Sequence, residues 1–335
     1  MRVVILTEGG GKKGFGHISR CIAISQGFNE KEIIPEVYIN GDKSIDRILR
    51  GIKYVKFNWF KDKTKTLGLI ENTDILIIDS YFIDEAYCKL LAEKVKTPVF
   101  IDDYNRINYP EGIVLNGSIG AKKIRYSQNN KIKYLLGTEY QPLRKEFWNA
   151  KPVKIKKKIK NILITMGGND VRNLTPQILE QAIKIFPNEN KNVIVTKSYK
   201  NIHRIEAQKD GKTIILKDIN AKRLIELYKG TDIAVSAAGQ TIYELAAFGI
   251  PSIIIQTTDN QKNNLTGWTD YNSCIYKEHS VRTLVQKLSI IFLKLKTYSI
   301  RRKLSNNLNN CIFERSTKCL IERIINFFEN TISYK

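Results

Sequence analysis

Histidine is scarce in this chain, with three among 335 residues, and the five cysteines form no close pair. No Cys-x-x-Cys occurs, and Cys21, Cys88, Cys274, Cys311 and Cys319 lie far apart. That pattern offers neither zinc-ligand spacing nor a disulfide framework, so no metal is expected and the thiols are expected reduced and mostly buried. Long apolar runs are missing as well. Leu288 to Leu293 is mostly apolar but sits between Lys287 and Lys294, far short of a membrane span. The opening Met1-Arg2-Val3-Val4-Ile5-Leu6 meets Glu8 and glycines at once. It is too short for a signal peptide and reads as a first strand, so a cytoplasmic location is expected. The Gly-x-x-x-x-Gly-Lys-Ser/Thr phosphate loop is absent too. Acidic residues are outnumbered, 33 against 55 basic ones, for a net charge of +22. A charge of that size fits a polyanion partner or an anionic small substrate. The surplus is lysine spread along the whole length, with only Lys151 to Lys160 concentrated, which points to compositional bias; no nucleic-acid partner is expected. A length of 335 residues and 42% hydrophobic content allow two cores, hence two domains.

What is present is a repeated strand–turn–helix rhythm. Val3-Val4-Ile5-Leu6-Thr7 is followed by Gly14-Phe15-Gly16-His17-Ile18-Ser19-Arg20, which opens a helix. Glycines between a strand and a helix start leave free backbone N–H groups and the positive helix end facing one space, an anion pocket. His17 stands at its mouth, either as a base, since imidazoles titrate near neutral pH, or as a polar cap residue. Ile75-Leu76-Ile77-Ile78 is apolar throughout, as in a strand buried on both faces of a parallel sheet, and ends in Asp79-Ser80-Tyr81. Asp84 is expected to cap the next helix, and Asp42 to Arg50 reads as another. Pro98 to Ile101 ends in Asp102-Asp103-Tyr104. Polar groups at the ends of successive parallel strands crowd one sheet edge, where open α/β folds bind ligands. His17, Asp79, Tyr81, Asp102 and Asp103 are therefore expected to converge, although each carboxylate is also a natural turn or cap residue.

The second half repeats the rhythm. Ile162-Leu163-Ile164-Thr165 runs into Gly167-Gly168-Asn169-Asp170, and Ile233-Ala234-Val235 runs into Ser236-Ala237-Ala238-Gly239-Gln240-Thr241. Small residues there let a ligand approach the backbone closely. Gly239 and Thr241 at a helix start suit a diphosphate, and Glu244 one turn on suits the hydroxyls of a ribose. Asn260-Gln261 closes another strand. The expected layout is α/β: residues 1–150 and 161–298 as two Rossmann-like domains facing a cleft, 151–160 as a solvated basic linker, and 299–335 as C-terminal helices.

These residues resemble the GT-B nucleotide-sugar enzymes, and in particular the UDP-sugar hydrolases of pseudaminic acid biosynthesis. The resemblance is carried by Gly14 to Arg20, Ile78-Asp79-Ser80-Tyr81, Ile101-Asp102-Asp103, Leu135-Leu136-Gly137 with Tyr140, Leu143-Arg144 and Glu146-Phe147, Gly167 to Asp170 with Asn173 to Thr175, and Ser236 to Glu244 with Gly249, Pro251 and Asn260-Gln261. It implies a GT-B fold and a cofactor-free, metal-independent hydrolase that releases UDP and a free 2,4-diacetamido-2,4,6-trideoxy sugar for nonulosonic acid synthesis. His17 would activate the water. Asp79 and Tyr81 would border the sugar, and Gly14, Gly16, Arg20, Asp102 and Asp103 would belong to the substrate-binding set. Uracil would rest near Ile219, phosphates at Gly239, Gln240 and Thr241, and ribose on Glu244, with Asn260 and Gln261 reaching the phosphate and sugar side; Gly167 and Gly168 offer a second close approach, and Ala238 joins the substrate-binding set. A monomer is compatible with all of this. Two stretches depart from the family pattern. Thr7-Glu8-Gly9-Gly10-Gly11-Lys12-Lys13 intervenes where an Arg and an Asp or Ser are usual soon after the first strand, and Asp79-Ser80-Tyr81 stands where Asp-His-Tyr is usual; both bear on the sugar side. A transferase of the same architecture and a polyanion-binding scaffold are the other readings. The tail beyond Ser299 has no function of its own in the resemblance; one use for it is an extra helix against the first domain.

Overall fold

The computed structural model describes residues 1–11, 13–49, 51–277, 280–309 and 315–333. Arg50, the end of one expected helix, and Cys311 lie outside them. The described residues form two parallel sheets, each in its own compact unit: Met1–Lys145 with Arg315–Lys335, and Glu146–Glu314.

The first sheet contains β1 (Val3–Gly9), β2 (Glu36–Gly41), β3 (Val55–Lys56), β4 (Ile75–Asp79), β5 (Thr97–Ile101), β6 (Gly112–Asn116) and β7 (Ile132–Leu136) in the order β3-β2-β1-β4-β5-β6-β7. Its crossover helices are α1 (Gly16–Asn29), α2 (Lys63–Ile70) and α3 (Glu85–Ala92). Successive strand residues face opposite sides, so both faces need cover. Val3, Ile5, Ile75, Ile77, Val99 and Ile113 pack with Ile18, Cys21, Ile24 and Phe28 of α1. Val4, Leu6, Leu76, Ile78 and Phe100 pack on the other face with Trp59, Tyr87 and Leu91. Asp84 caps α3 as expected, accepting from the Tyr87 N–H. The expected helix from Asp42 is a short 3-10 turn, Lys43–Arg47, because Asp42 accepts from the Ser44 N–H at 2.8 Å and tightens the chain there.

The second unit contains β8 (Asn161–Thr165), β9 (Asn190–Val195), β10 (Thr213–Lys217), β11 (Ile233–Ala237), β12 (Ser252–Ile255) and β13 (Ser273–Ile275) in the order β10-β9-β8-β11-β12-β13. Its helices are α4 (Thr175–Ile185), α5 (Ile202–Gln208), α6 (Ala221–Gly230), α7 (Thr241–Ala247), α8 (Lys262–Gly267), α9 (Val281–Leu295) and α10 (Tyr298–Leu308).

The units divide differently from the expected boundaries. Phe147 and Ala150 are buried with Tyr228 and Phe248, so the second unit begins at Glu146. The basic run 151–160 is laid on that unit: the Val153 N–H donates to Phe248 O at 2.8 Å, and buried Arg301 donates to the carbonyls of Lys156 and Lys157. Charge density marks the run as solvated but says nothing about its backbone bonds. The tail is divided too. α10 stays with the second unit, whereas α11 (Ser316–Ser333) returns to the first. There Leu320, Ile321, Ile324 and Phe328 complete the core on the α1 side, each contributing at most about 1.5–3 kcal/mol by burial. α11 comes so near α1 that a Cβ on Gly27 would stand 2.6 Å from Ile321 Cγ1.

Candidate active site

Both sheets change direction of growth beside their first strand, between β1 and β4 and between β8 and β11. Loops diverge there and leave a crevice at the carboxyl ends of the strands. The predicted residues fall at these two edges, and each edge is described separately.

In the first unit, the chain leaving β1 folds back on itself. Gly10 and Gly14 exchange N–H···O bonds of 3.0 and 2.8 Å, with φ of +137° and +82°, conformations that glycine adopts without strain. α1 then starts at Gly16, which places His17 in its first turn and Arg20 three residues on, one face of the helix. His17 Nδ1 lies 2.6 Å from Asp79 Oδ1 at the end of β4. Arg20 Nε and Nη2 donate to the two oxygens of Asp79 at 2.9 and 2.8 Å, and Nη1 donates to Asp103 at 2.6 Å. The Tyr81 hydroxyl donates to the other oxygen of Asp103, and its ring stands edge-on to His17 with centroids 4.6 Å apart.

Electrostatics fixes the protons in this cluster. Burial alone would raise the pKa of Asp79, but the charges of Arg20 and His17 and their hydrogen bonds outweigh it and bring the carboxyl down to about 2. Burial likewise opposes the charge on Arg20, and Asp103 and Asp79 outweigh it, so its pKa is raised. An ionised carboxylate only accepts, so the short contact requires a proton on Nδ1. Arg20 Nη2 stands 3.1 Å from the same nitrogen but has no lone pair to offer, so it adds charge there and no competing acceptor. Neutral His17 therefore carries its lone pair on Nε2, the tautomer of a general base. The Cys21 thiol is pushed up to about 12 by burial and the charge of Asp79, which removes it as a nucleophile.

Asp102 departs from expectation. Its Oδ1 accepts from the Arg106 N–H and the Tyr109 hydroxyl, and its Oδ2 from the Asn105 N–H and the Tyr126 hydroxyl, at 2.6–3.2 Å. A carboxylate has about four acceptor positions, so this one is filled and serves its loop instead of a ligand. Sequence reasoning passed over Glu8. It is 2% exposed and accepts from Ser80 Oγ and the Tyr81 N–H at 2.9 Å each, and from Lys13 Nζ at 3.3 Å. The available signal was a carboxylate at the end of an otherwise apolar strand.

The second edge is made of small residues. After β8, Gly167 has φ of +73°, and a Cβ there would meet nothing within 4 Å. The carbonyls of Gly167 and Gly168 accept from Tyr199 and Thr196 at 3.2 and 2.8 Å. Asp170 caps α4 with bonds to the N–H groups of Leu174 and Thr175. After β11, the Ala238 N–H donates to Ile255 O and the Gly239 N–H to Ala237 O, at 3.0 and 2.8 Å. The Gly239 amide expected to face a phosphate is thus turned into the strand end, and Gly239 contributes its missing side chain. A Cβ on it would have only Gln261 Nε2 nearby, at 4.0 Å. Gln261 Oε1 accepts from the Thr257 N–H at 2.8 Å, which fixes that amide's orientation. Asn260 accepts from Thr258 Oγ1. Glu244 lies in the first turn of α7, 5% exposed, with the Tyr228 hydroxyl donating to it at 3.4 Å. Gln240 precedes that turn, next to Thr241 at its start. Ile219 is half-buried, packed with Leu216 and Leu224 against the cluster that holds Leu163, Ile194 and Tyr228. Among the described residues no three His, Cys, Asp or Glu side chains are grouped to hold a metal ion, and no helix is long and apolar enough to cross a membrane.

Two parallel-sheet α/β units, each with its polar edge at the switch point, define the GT-B fold. In keeping with this, MnaA of S. aureus in complex with UDP aligns over 99% of this chain and 97% of its own, with a TM-score of 0.66 at 12% identity. Residues 161–310 match the model of the glycosyltransferase family 28 C-terminal domain.

More particular likeness comes from the curated relatives. One is the pseudaminic acid cytidylyltransferase and UDP-2,4-diacetamido-2,4,6-trideoxy-beta-L-altropyranose hydrolase of Helicobacter pylori, 27% identical over 85% of this chain. Another is an uncharacterised protein of Methanocaldococcus jannaschii, 29% identical over 83% of this chain. The chain spans 50% and 60% of the lengths of these two relatives.

Proposed function

We propose that this protein hydrolyses a UDP-linked 2,4-diacetamido-2,4,6-trideoxy sugar at the anomeric carbon, releasing UDP and the free sugar for pseudaminic acid synthesis. The observation that carries the reading is His17 held by ionised Asp79 at 2.6 Å, with its free lone pair on Nε2. That nitrogen takes a proton from water as the water oxygen bonds to the anomeric carbon. The carbon–oxygen bond to UDP breaks, and the electron pair leaves with the diphosphate. Positioning and stabilisation of the leaving charge suffice for such a step without a metal.

The roles in the second unit follow from its edge. Gln240 and Thr241 at the start of α7 face the phosphates, with Gly167, Gly168, Ala238 and Gly239 allowing close approach. Glu244 accepts from the ribose hydroxyls, Ile219 borders uracil, and Asn260 and Gln261 contact the phosphate side. In the first unit Gly14 and Gly16 leave room beside His17, and Tyr81 borders the sugar. Arg20, Asp79 and Asp103 act on the base. The family 28 domain match supports a second reading, transfer of the sugar to an acceptor by the same fold.

The test is UDP release from the UDP-linked sugar in EDTA and without acceptor, by wild type and His17→Ala. Release by wild type and a loss on the order of a hundredfold or more in the variant is expected. Wild type that binds UDP but releases none until an acceptor is added would establish transfer in place of hydrolysis.

A further inference from the structure

Besides Asp79 and Asp102, a further buried carboxylate stands at the first edge, Glu8. Glu8 gathers donors from two separate segments: Ser80 Oγ and the Tyr81 N–H from the turn after β4, and Lys13 Nζ from the loop between Gly10 and Gly14. Lys13 reaches the Asn40 carbonyl at 3.4 Å and lies over the ring of Phe82 at 5.1 Å, so it too bridges segments. Tyr81 is therefore held at both ends, by Glu8 at its backbone and by Asp103 at its hydroxyl, with its ring against His17. Burying a carboxylate costs several kcal/mol unless hydrogen bonds and an ion pair offset it. Here every donor that offsets it belongs to a segment adjoining the base.

We propose that Glu8 is a positioning residue for His17: its carboxylate ties the Ser80–Tyr81 turn to the Lys13 loop and thereby sets where the Tyr81 ring stands against the imidazole. Tyr81 meets His17 directly through its ring and indirectly through Asp103, Arg20 and Asp79. A displaced turn disturbs both routes at once. The kinetic consequence rests on the hydrolase reading; the structural consequence does not.

The experiment compares Glu8→Gln, Glu8→Ala and Lys13→Met in the full chain. Glu8→Gln retains an amide oxygen for Ser80 and Tyr81 but loses the charge that holds Lys13, so it separates the two ties. The first readout needs no turnover. With only three histidines in the chain, the ring resonances of His17 are followed by NMR through a pH titration, with His203 as internal reference. Glu8→Ala is expected to shift the His17 resonances and titration midpoint and leave His203 in place, with a smaller shift in Glu8→Gln. The second readout is UDP release, in which Glu8→Ala loses roughly tenfold to a hundredfold in kcat, the scale of a base displaced by a fraction of an ångström. Lys13→Met is expected to raise KM more than it lowers kcat.

A folded Glu8→Ala protein with wild-type His17 resonances and midpoint would overturn the proposal and reduce Glu8 to a turn-stabilising residue. If Glu8→Ala does not fold, Glu8→Gln and Lys13→Met decide, and wild-type His17 signals in both overturn it. Absence of UDP release by wild type would sink the hydrolase reading alone, and the NMR comparison would still decide the role of Glu8.

Discussion

At the ends of β1 and β4, Glu8, His17, Arg20, Asp79 and Asp103 are packed among partners of their own, whereas at the ends of β8 and β11 the chain runs through Gly167-Gly168 and Ala237-Ala238-Gly239. The first edge is specified by side chains. Its charges are paired with one another, and the Asp79 carboxyl between Arg20 and His17 is held down at about 2. The second is specified by main chain and by the absence of side chains, the condition under which a ligand comes close to the backbone. One fold used twice thus yields an edge crowded with ionisable side chains and an accommodating edge of small residues. The physical difference is what stands at the strand ends, paired ionisable side chains in one unit and glycine and alanine in the other.

The comparison breaks most visibly at Asp79. Asp79→Asn keeps the size but removes the charge that fixes the proton on Nδ1, so kcat is expected to fall on the order of a thousandfold, with UDP affinity of the second unit unchanged. Steady-state kinetics beside UDP titration calorimetry would check it; near-normal kcat would mean that Asp79 does not set the tautomer.

A smaller effect is expected in acid. The carboxyl of Asp79 is depressed when folded, to about 2, against about 3.9 in an unfolded chain. Its contribution to stability is therefore fully present above pH ~4 and is lost as the pH falls toward 2. Chemical denaturation between pH 5 and about 2 should show a steeper acid loss in wild type than in Asp79→Asn. Parallel curves would mean that the carboxylate is no better held in the folded chain than in the unfolded one.

Smallest is the change at the accommodating edge. Gly167→Ala places a Cβ in open space at φ +73°, so only backbone strain opposes it, about 1–2 kcal/mol. Thermal melting reads that cost, and UDP titration reads whether the added methyl blocks a ligand. An unchanged UDP affinity would sharpen the comparison by moving the close approach from Gly167 to Gly239.

Much of this was legible beforehand. The unbroken apolar runs at residues 75–78 and 162–164 became central strands because only a sheet covered on both faces buries every side chain of such a run. His17 was legible from the glycines before it and the helix pattern after it, and the crowding of Asp79 and Asp103 from their places at strand ends. Asp102 looked identical to Asp103 by that criterion. What separates them is Tyr126, 24 residues away, whose hydroxyl fills the last acceptor position. Glu8 and Ser80 meet at 2.9 Å across 72 residues, which no local pattern reveals.

Periodicity, glycine turns and a helix-start histidine, all properties of neighbours along the chain, determined by themselves that this protein is two α/β units with polar strand ends and a single histidine at the first of them. Tertiary structure alone decided that Asp79 pairs with His17, that Asp102 is filled by its own loop, that Glu8 joins two segments, and that α11 returns to the first unit. Those outcomes depend on hydrogen bonds and contacts between segments brought side by side by the register of parallel strands, and a separation of tens of residues in sequence carries no record of that register.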